Sequence, residues 1–349
     1  MLQPGRNIAS LTGLRGLAAL AVVFHHASSE ATQTSLFRGQ PMVDIFFALS
    51  GFVMSYVYLA RGPLDWMAFA RSRFARIYPL HAATALAMAA ASLAVARLTH
   101  APWPDYLSPV QALREATLTM AMPLVGADKL WNFPAWSISV EWWTYFTLFP
   151  LLVYFGPRLT NRQALALFLI AAIALAALLH LDLAKATRGW PAFGRALVGF
   201  GGGWVAHRFA ASTNRTLSPP MADTVALGVL ACIYGTAPIT GEDAWYLLPV
   251  YPVLVFALAT TPTSASARFL SWRPVEWLGE ISFSIYLVHS IVLDVFKQVS
   301  AKIVPLTGQA EWIAVMVPAT LLVAPVSYYL LEMPMRRLLS PRKPARTAP

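Results

Sequence analysis

Charge is what this sequence has little of. Only 12% of its 349 residues are Asp, Glu, Lys or Arg, about half the share of a soluble globular chain. Cysteine is scarcer still: Cys232 stands alone in an apolar run, which excludes a disulfide framework, a CxxC redox pair and a cysteine zinc site, and no metal is expected. No internal repeat marks the two halves of a duplicated transporter. What is present is hydrophobic: 57% of the chain, with a mean hydropathy of +0.56. Apolar runs of roughly 17 to 25 residues recur along the whole length, so the expected class is an all-α, polytopic membrane protein. The net charge of +10 fits basic residues flanking membrane spans rather than a nucleic-acid partner.

Hydropathy predicts ten spans, at 10–29, 42–60, 77–98, 134–155, 162–181, 192–209, 221–239, 245–261, 281–298 and 311–331. The segment 99–133 carries four prolines and five charged residues among moderately apolar ones, and reads as a re-entrant or surface-lying excursion. Lys and Arg fall roughly two to one on the side that holds the N-terminus, which places both termini in the cytoplasm. Arg6 and the apolar run after it could pass for a secretory signal, but Arg15 inside the run and the lack of a small-residue cleavage site indicate an uncleaved first span. Residues 1–340 are expected to form one transmembrane domain, followed by a flexible basic tail over 341–349.

Polar residues inside these runs are costly and therefore informative. Arg15 and His26, eleven residues apart in the first span, share a helical face at depths differing by roughly 16 Å, while His25 points about 80° away. Arg73 and Arg76 sit at i and i+3 just before Tyr78-Pro79, which reads as the membrane boundary. Their guanidinium forks suit a phosphate-bearing ligand or ordinary interfacial anchoring. Ser137, Glu141 and Tyr145 follow one stripe with Trp136 nearby. Glu141 comes out about 10 Å below the outer surface, level with His26, so that a carboxylate–imidazole pair is expected, either as a general base or as a structural ion pair. Ser282, Tyr286 and His289 form another stripe, read as site lining or helix-to-helix hydrogen bonding. Arg195 precedes a glycine cluster and either snorkels or lines an outer-side cavity. Ser50-Gly51 reads as a packing notch, Asp44 as a surface cap or site residue, and His81, His100, His180 and His207 as solvated span ends. Glu332 and Pro334 are expected to stop the last span beside Arg336 and Arg337.

In order along the chain stand LRGLAALAVVFHH, VDIFFALSGF, RFARIYP, WSISVEWW, ISFSIYLVH and LEMPMRR. Together they resemble the acyltransferase 3 family of integral-membrane acyltransferases, over about Ile8 to Arg337. The resemblance implies a ten-span bundle in the inner membrane that uses acyl-CoA, usually acetyl-CoA, from the cytoplasm to O-acylate a carbohydrate or glycolipid. It also implies that Arg15 and His26 match the family's essential arginine and histidine, Arg73 and Arg76 its RxxR pair, and Glu141 its acidic position. Phe283 stands where many members have tyrosine. With no fused SGNH-type hydrolase domain, the bundle itself is expected to complete the transfer.

On this reading Arg73 and Arg76, with Arg15, hold the CoA phosphates, and His26, oriented by Glu141, deprotonates a sugar hydroxyl that attacks the thioester. A covalent acyl-histidine relay is the other chemical route. Tyr286, His289, Arg195 and Ser137 are expected to line the substrate path. The acceptor would be an exopolysaccharide, lipopolysaccharide or related envelope glycan. The competing readings are the same chemistry on a cytoplasmic glycosylated small molecule, and a transporter that uses the same buried polar residues.

Overall fold

In a bilayer each backbone N–H and C=O must be satisfied within the protein, so apolar runs fold as helices. The computed structural model describes residues 7–32, 37–59, 63–126, 129–180, 187–212, 216–235, 245–303 and 305–341. Among them the chain is helical, with no strand. Each of the ten predicted segments contains a helix: α1 (Ala9–Thr32), α2 (Gly39–Tyr58), α3 (Trp66–Leu98), α5 (Ala135–Phe155), α6 (Asn161–His180), α7 (Gly189–Ser212), α8 (Pro219–Gly235), α9 (Tyr251–Thr260), α12 (Ser282–Lys302) and α13 (Gln309–Ser327). Short helices α4 (Pro109–Thr117), α10 (Ala265–Leu270), α11 (Arg273–Glu280) and α14 (Met333–Leu339) connect or extend them. The predicted tail lies, beyond Pro341, outside the described residues.

By length and apolarity alone, four of the described helices are able to cross a membrane: Gly39–Tyr58, Trp66–Leu98, Asn161–His180 and Gln309–Leu339. A fifth is gained if α11 and α12, bent by 67° at their junction, count as one span. Helices α1, α5 and α7 carry the Arg, His, Glu, Trp and Tyr of the interior, and these residues lower their mean hydropathy. The apolar surface needed for lipid contact is present: Leu167, Ile170 and Ile173 on α6, Leu227 and Leu230 on α8, and Leu322 and Val326 on α13 are exposed. The protein is a multi-pass membrane protein.

Three local features bear on these expectations. At Pro79, the expected membrane boundary, α3 runs on without a break, since a proline in a long helix costs one backbone donor and leaves the rest of the ladder intact. Glu332 and Pro334 do not stop the last span. The chain passes through a π turn at Tyr328–Glu332 into α14, where Pro334 sits in the first turn and no donor is missed. In the excursion 99–133 the only α-helix among the described residues is α4, nine residues long and too short to cross. Its following turns dive inward: Leu118, Met120 and Ala121 are buried, and the Leu118 carbonyl accepts from Ser139 Oγ at 2.7 Å and Trp143 Nε1 at 3.0 Å. Burial raises the Glu115 carboxyl above its usual pKa, opposed by the Trp131 N–H and Gln111.

At the centre, α1 packs against α2, α11, α12 and α13. Helices α2 and α7 meet backbone to backbone. A Cβ on Gly51 would lie 1.9 Å from the Phe200 carbonyl oxygen, and one on Gly203 would lie 2.0 Å from that of Ala48, so only glycine permits this approach.

Candidate active site

A helix whose polar residues repeat at i and i+4 turns them to one side, and several such stripes converge between α1, α2, α3, α5 and α12. They enclose a cavity of about 480 Å³. Arg15 enters it from α1, Arg73 and Arg76 from α3, Ser50 from α2, Tyr286 from α12 and Arg336 from α14. Ser137, Glu141 and Tyr145 line it from α5, whereas Trp136 faces away, over Arg195 at 5.3 Å.

The charge in the cavity is unevenly partnered. Arg76 forms an ion pair with the buried Glu332, which also takes Arg336 at 3.7 Å and the Ser284 hydroxyl at 2.7 Å. The Arg76 guanidinium lies over the Phe283 ring at 5.2 Å. Arg73 donates to Ser72 Oγ at 3.1 Å and lies 5.9 Å from the Tyr145 ring centre. Arg15 makes no hydrogen bond with the described residues. Four guanidinium groups against Glu141, Glu280 and Glu332 leave the cavity basic, a setting for an anionic ligand. Inside it the Tyr145 hydroxyl donates to Glu141 Oε1 at 2.7 Å and meets Ser50 Oγ at 2.8 Å.

One helical turn from Glu141, towards the N-terminus of α5, the Ser137 and Tyr286 hydroxyls meet at 2.8 Å and bound the cavity. One turn further along α12 is His289, whose Nε2 lies 3.1 Å from His26 Nδ1, the rings near-parallel at 18°. Neither imidazole lines the cavity. Asn132 ties the preceding loop to α12: its Nδ2 donates to the Leu287 carbonyl at 3.1 Å, and its Oδ1 accepts from Ser290. The next residue, Phe133, stands edge-on to His26 at 5.9 Å. His25 turns elsewhere, with Nδ1 2.9 Å from the Phe37 carbonyl oxygen.

The expected pairing of His26 with Glu141 is not formed. The imidazole meets His289 and the carboxylate meets Tyr145. Counting depth from the end of α5 failed because that end is not at the surface. Asn132, at the end of the excursion, and Ala135, at the start of α5, are fully buried, and from the level of His26 to that of Glu141 the chain descends on the order of 10 Å along two helices. Arg195 does not line this cavity. It is 2% exposed and locked to Asp44 at 2.9 Å and Gln40 at 3.1 Å, a buried α2–α7 ion pair rather than a snorkelling side chain, and Asp44 is correspondingly not a surface cap. His81 and His207 are buried rather than solvated; His81 Nε2 lies 3.0 Å from the Glu115 carbonyl oxygen and His207 lies edge-on to Phe52 and Tyr56. Sequence reasoning missed Arg336 as a cavity residue and the His26–His289 contact. The second had a signal, since both histidines fall on polar stripes.

The architecture defines a multi-pass helical membrane protein with a basic interior cavity and, beyond it, an imidazole pair of which His289 is buried and His26 half-buried. An acyltransferase-domain model matches residues 8–332, and the chain belongs to that family, acyltransferase 3. It is 30% identical to the acyltransferase MdmB of Streptomyces mycarofaciens, over 98% of this chain and 95% of the relative. It is 26% identical to the putative peptidoglycan O-acetyltransferase YrhL of Bacillus subtilis and 22% to the peptidoglycan O-acetyltransferase OatA of Listeria monocytogenes. Those alignments cover 96% and 95% of this chain but 56% of each relative. No solved structure matches it.

Proposed function

We propose that this acyltransferase moves an acyl group, acetyl in the first instance, from cytoplasmic acyl-CoA to a hydroxyl of an envelope glycan. The observation that carries this reading is the basic cavity, in which Arg15 makes no hydrogen bond with the described residues beside Arg73, Arg76 and Arg336. A CoA carries several phosphate charges at one end and its thioester at the end of a flexible arm. Arg15, Arg73, Arg76 and Arg336 hold the phosphates, and the arm runs along the stripe of Glu141, Ser137 and Tyr286 towards His26. Opening of the Ser137–Tyr286 hydrogen bond admits the thioester to the imidazole pair. His26 takes the proton of the acceptor hydroxyl, whose oxygen attacks the thioester carbonyl. Glu141 offsets guanidinium charge and orients Tyr145; it does not orient His26. Phe133, 45% exposed beside His26, offers a sugar ring an apolar face. The peptidoglycan activity in the names of two relatives makes a glycan acceptor the first choice. Ten spans, both termini in the cytoplasm and insertion in the inner membrane complete the proposal.

The test uses the purified full chain with labelled acetyl-CoA, together with mass spectrometry of envelope glycans from cells with and without the protein. We expect saturable binding, weakened at least tenfold in Arg73→Ala, and glycan acetyl groups that disappear with the protein. No binding by the wild-type chain, together with unchanged glycans, would overturn the proposal.

A further inference from the structure

The hydrogen bonds around His289 fix where the protons are. Its Nδ1 lies 2.7 Å from the Tyr286 carbonyl oxygen. A carbonyl only accepts, so this nitrogen carries a proton. A neutral imidazole has a single N–H, so Nε2 of His289 holds a lone pair, and this is the atom that faces His26 Nδ1 at 3.1 Å. A hydrogen bond between the two rings then requires the proton to sit on His26 Nδ1. His26 Nε2 is left with its lone pair.

The geometry points to His289 as a positioning residue that holds His26 in the Nδ1-protonated tautomer and reserves its Nε2 as the proton acceptor. Among the described residues neither ring hydrogen-bonds a carboxylate, so the imidazole of His289 does the orienting that a carboxylate does in other catalytic histidines. The second ring is itself held rigidly. His289 is 1% exposed, and Asn132 clasps the turn of α12 that carries it through the Leu287 carbonyl and Ser290. The inference rests on the acyl-transfer reading for its chemistry. The hydroxyl proton passes to His26 Nε2, the acceptor oxygen bonds to the acyl carbon, the carbon–sulfur bond breaks, and the proton on Nε2 passes to the departing thiolate. His26 Nδ1–H donates to His289 throughout.

Substitution separates orientation from packing. Gln places an acceptor oxygen near the position of the histidine Nε2, whereas Phe fills the space with no acceptor. We expect His289→Gln to keep kcat within about tenfold of wild type and His289→Phe to lose about a hundredfold or more, with the KM for acetyl-CoA unchanged in both. Equal losses in the two variants, or rescue by Phe, would overturn the inference. A second measurement needs no activity. In wild-type protein carrying 15N-labelled histidine, with the His26 signals assigned by their loss in His26→Gln, the shifts should show a neutral ring protonated at Nδ1. A proton on Nε2 alone, or a doubly protonated ring, would refute the tautomer. The expected shifts in a protein that transfers no acyl group would instead sink the acyl-transfer reading and leave the tautomer standing.

Discussion

Arg15 separates ligand binding from folding more cleanly than any other cavity residue. Removing Arg76 would leave the buried Glu332 with only Ser284 and a more distant Arg336, and breaking a buried ion pair from one side destabilises strongly. Arg15 makes no such hydrogen-bonded pair with the described residues; Arg76 and Arg73 repel it, against the attraction of Glu141. Arg15→Ala should therefore leave the midpoint of thermal unfolding in detergent unchanged or raised. It should also weaken CoA binding by roughly 10- to 100-fold, the value of one or two charge-assisted hydrogen bonds at about 1.5–3 kcal/mol. Calorimetry on the same preparation reads both quantities, and a large loss of stability with normal binding would contradict the assignment. That Arg15 makes no hydrogen bond with the described residues was not legible in the sequence, which shows a charge in an apolar run but not how close a carboxylate comes across the bundle. The same blindness hid the Asp44–Arg195 pair: one looked like a cap and the other like a snorkelling end, and only the contact between α2 and α7 makes them partners.

Helices were easier to read than contacts because period and length are local properties. The stripe of Ser137, Glu141 and Tyr145 does turn to one side, and the glycines of α2 and α7 do mark close packing. Pro334 misled because a proline reports a missing donor, not whether the chain beyond it continues as a helix. The α2–α7 seam allows a quantitative check with an internal control. A side chain at Gly203 would strike the Ala48 carbonyl at 2.0 Å, while a Cβ at Gly201, on the same helix, meets nothing within 4 Å. Gly203→Leu should lower stability by about 1–3 kcal/mol or prevent assembly. Gly201→Ala should be neutral or raise it by up to about 1 kcal/mol. Thermal unfolding of the two variants side by side reads the difference, and equal effects would mean that α2 and α7 do not touch at this seam.

For the whole molecule, the distribution of charge and the distribution of apolarity give different span counts. Basic residues alternate in a way that suits ten crossings, yet only four or five described helices are apolar enough to cross on composition alone. The gap narrows once the interior is considered: α1, α5 and α7 turn polar faces towards the cavity and the buried ion pairs, and a polar face turned inward is no bar to crossing. Depth was lost for a related reason, because the excursion 99–133 folds inward and buries the end of α5 that would otherwise mark the membrane surface. Labelling decides the count. With Cys232, the single native cysteine, replaced by serine, new cysteines at the exposed positions Asp105, Arg162 and Arg337 can be challenged in intact cells with a maleimide that does not cross membranes. Ten crossings put Asp105→Cys outside and the other two inside. Only Asp105→Cys should react before permeabilisation, and all three afterwards. Reaction of Arg337→Cys but not Arg162→Cys in intact cells would mean an odd number of crossings between them, and would move one terminus to the other side of the membrane.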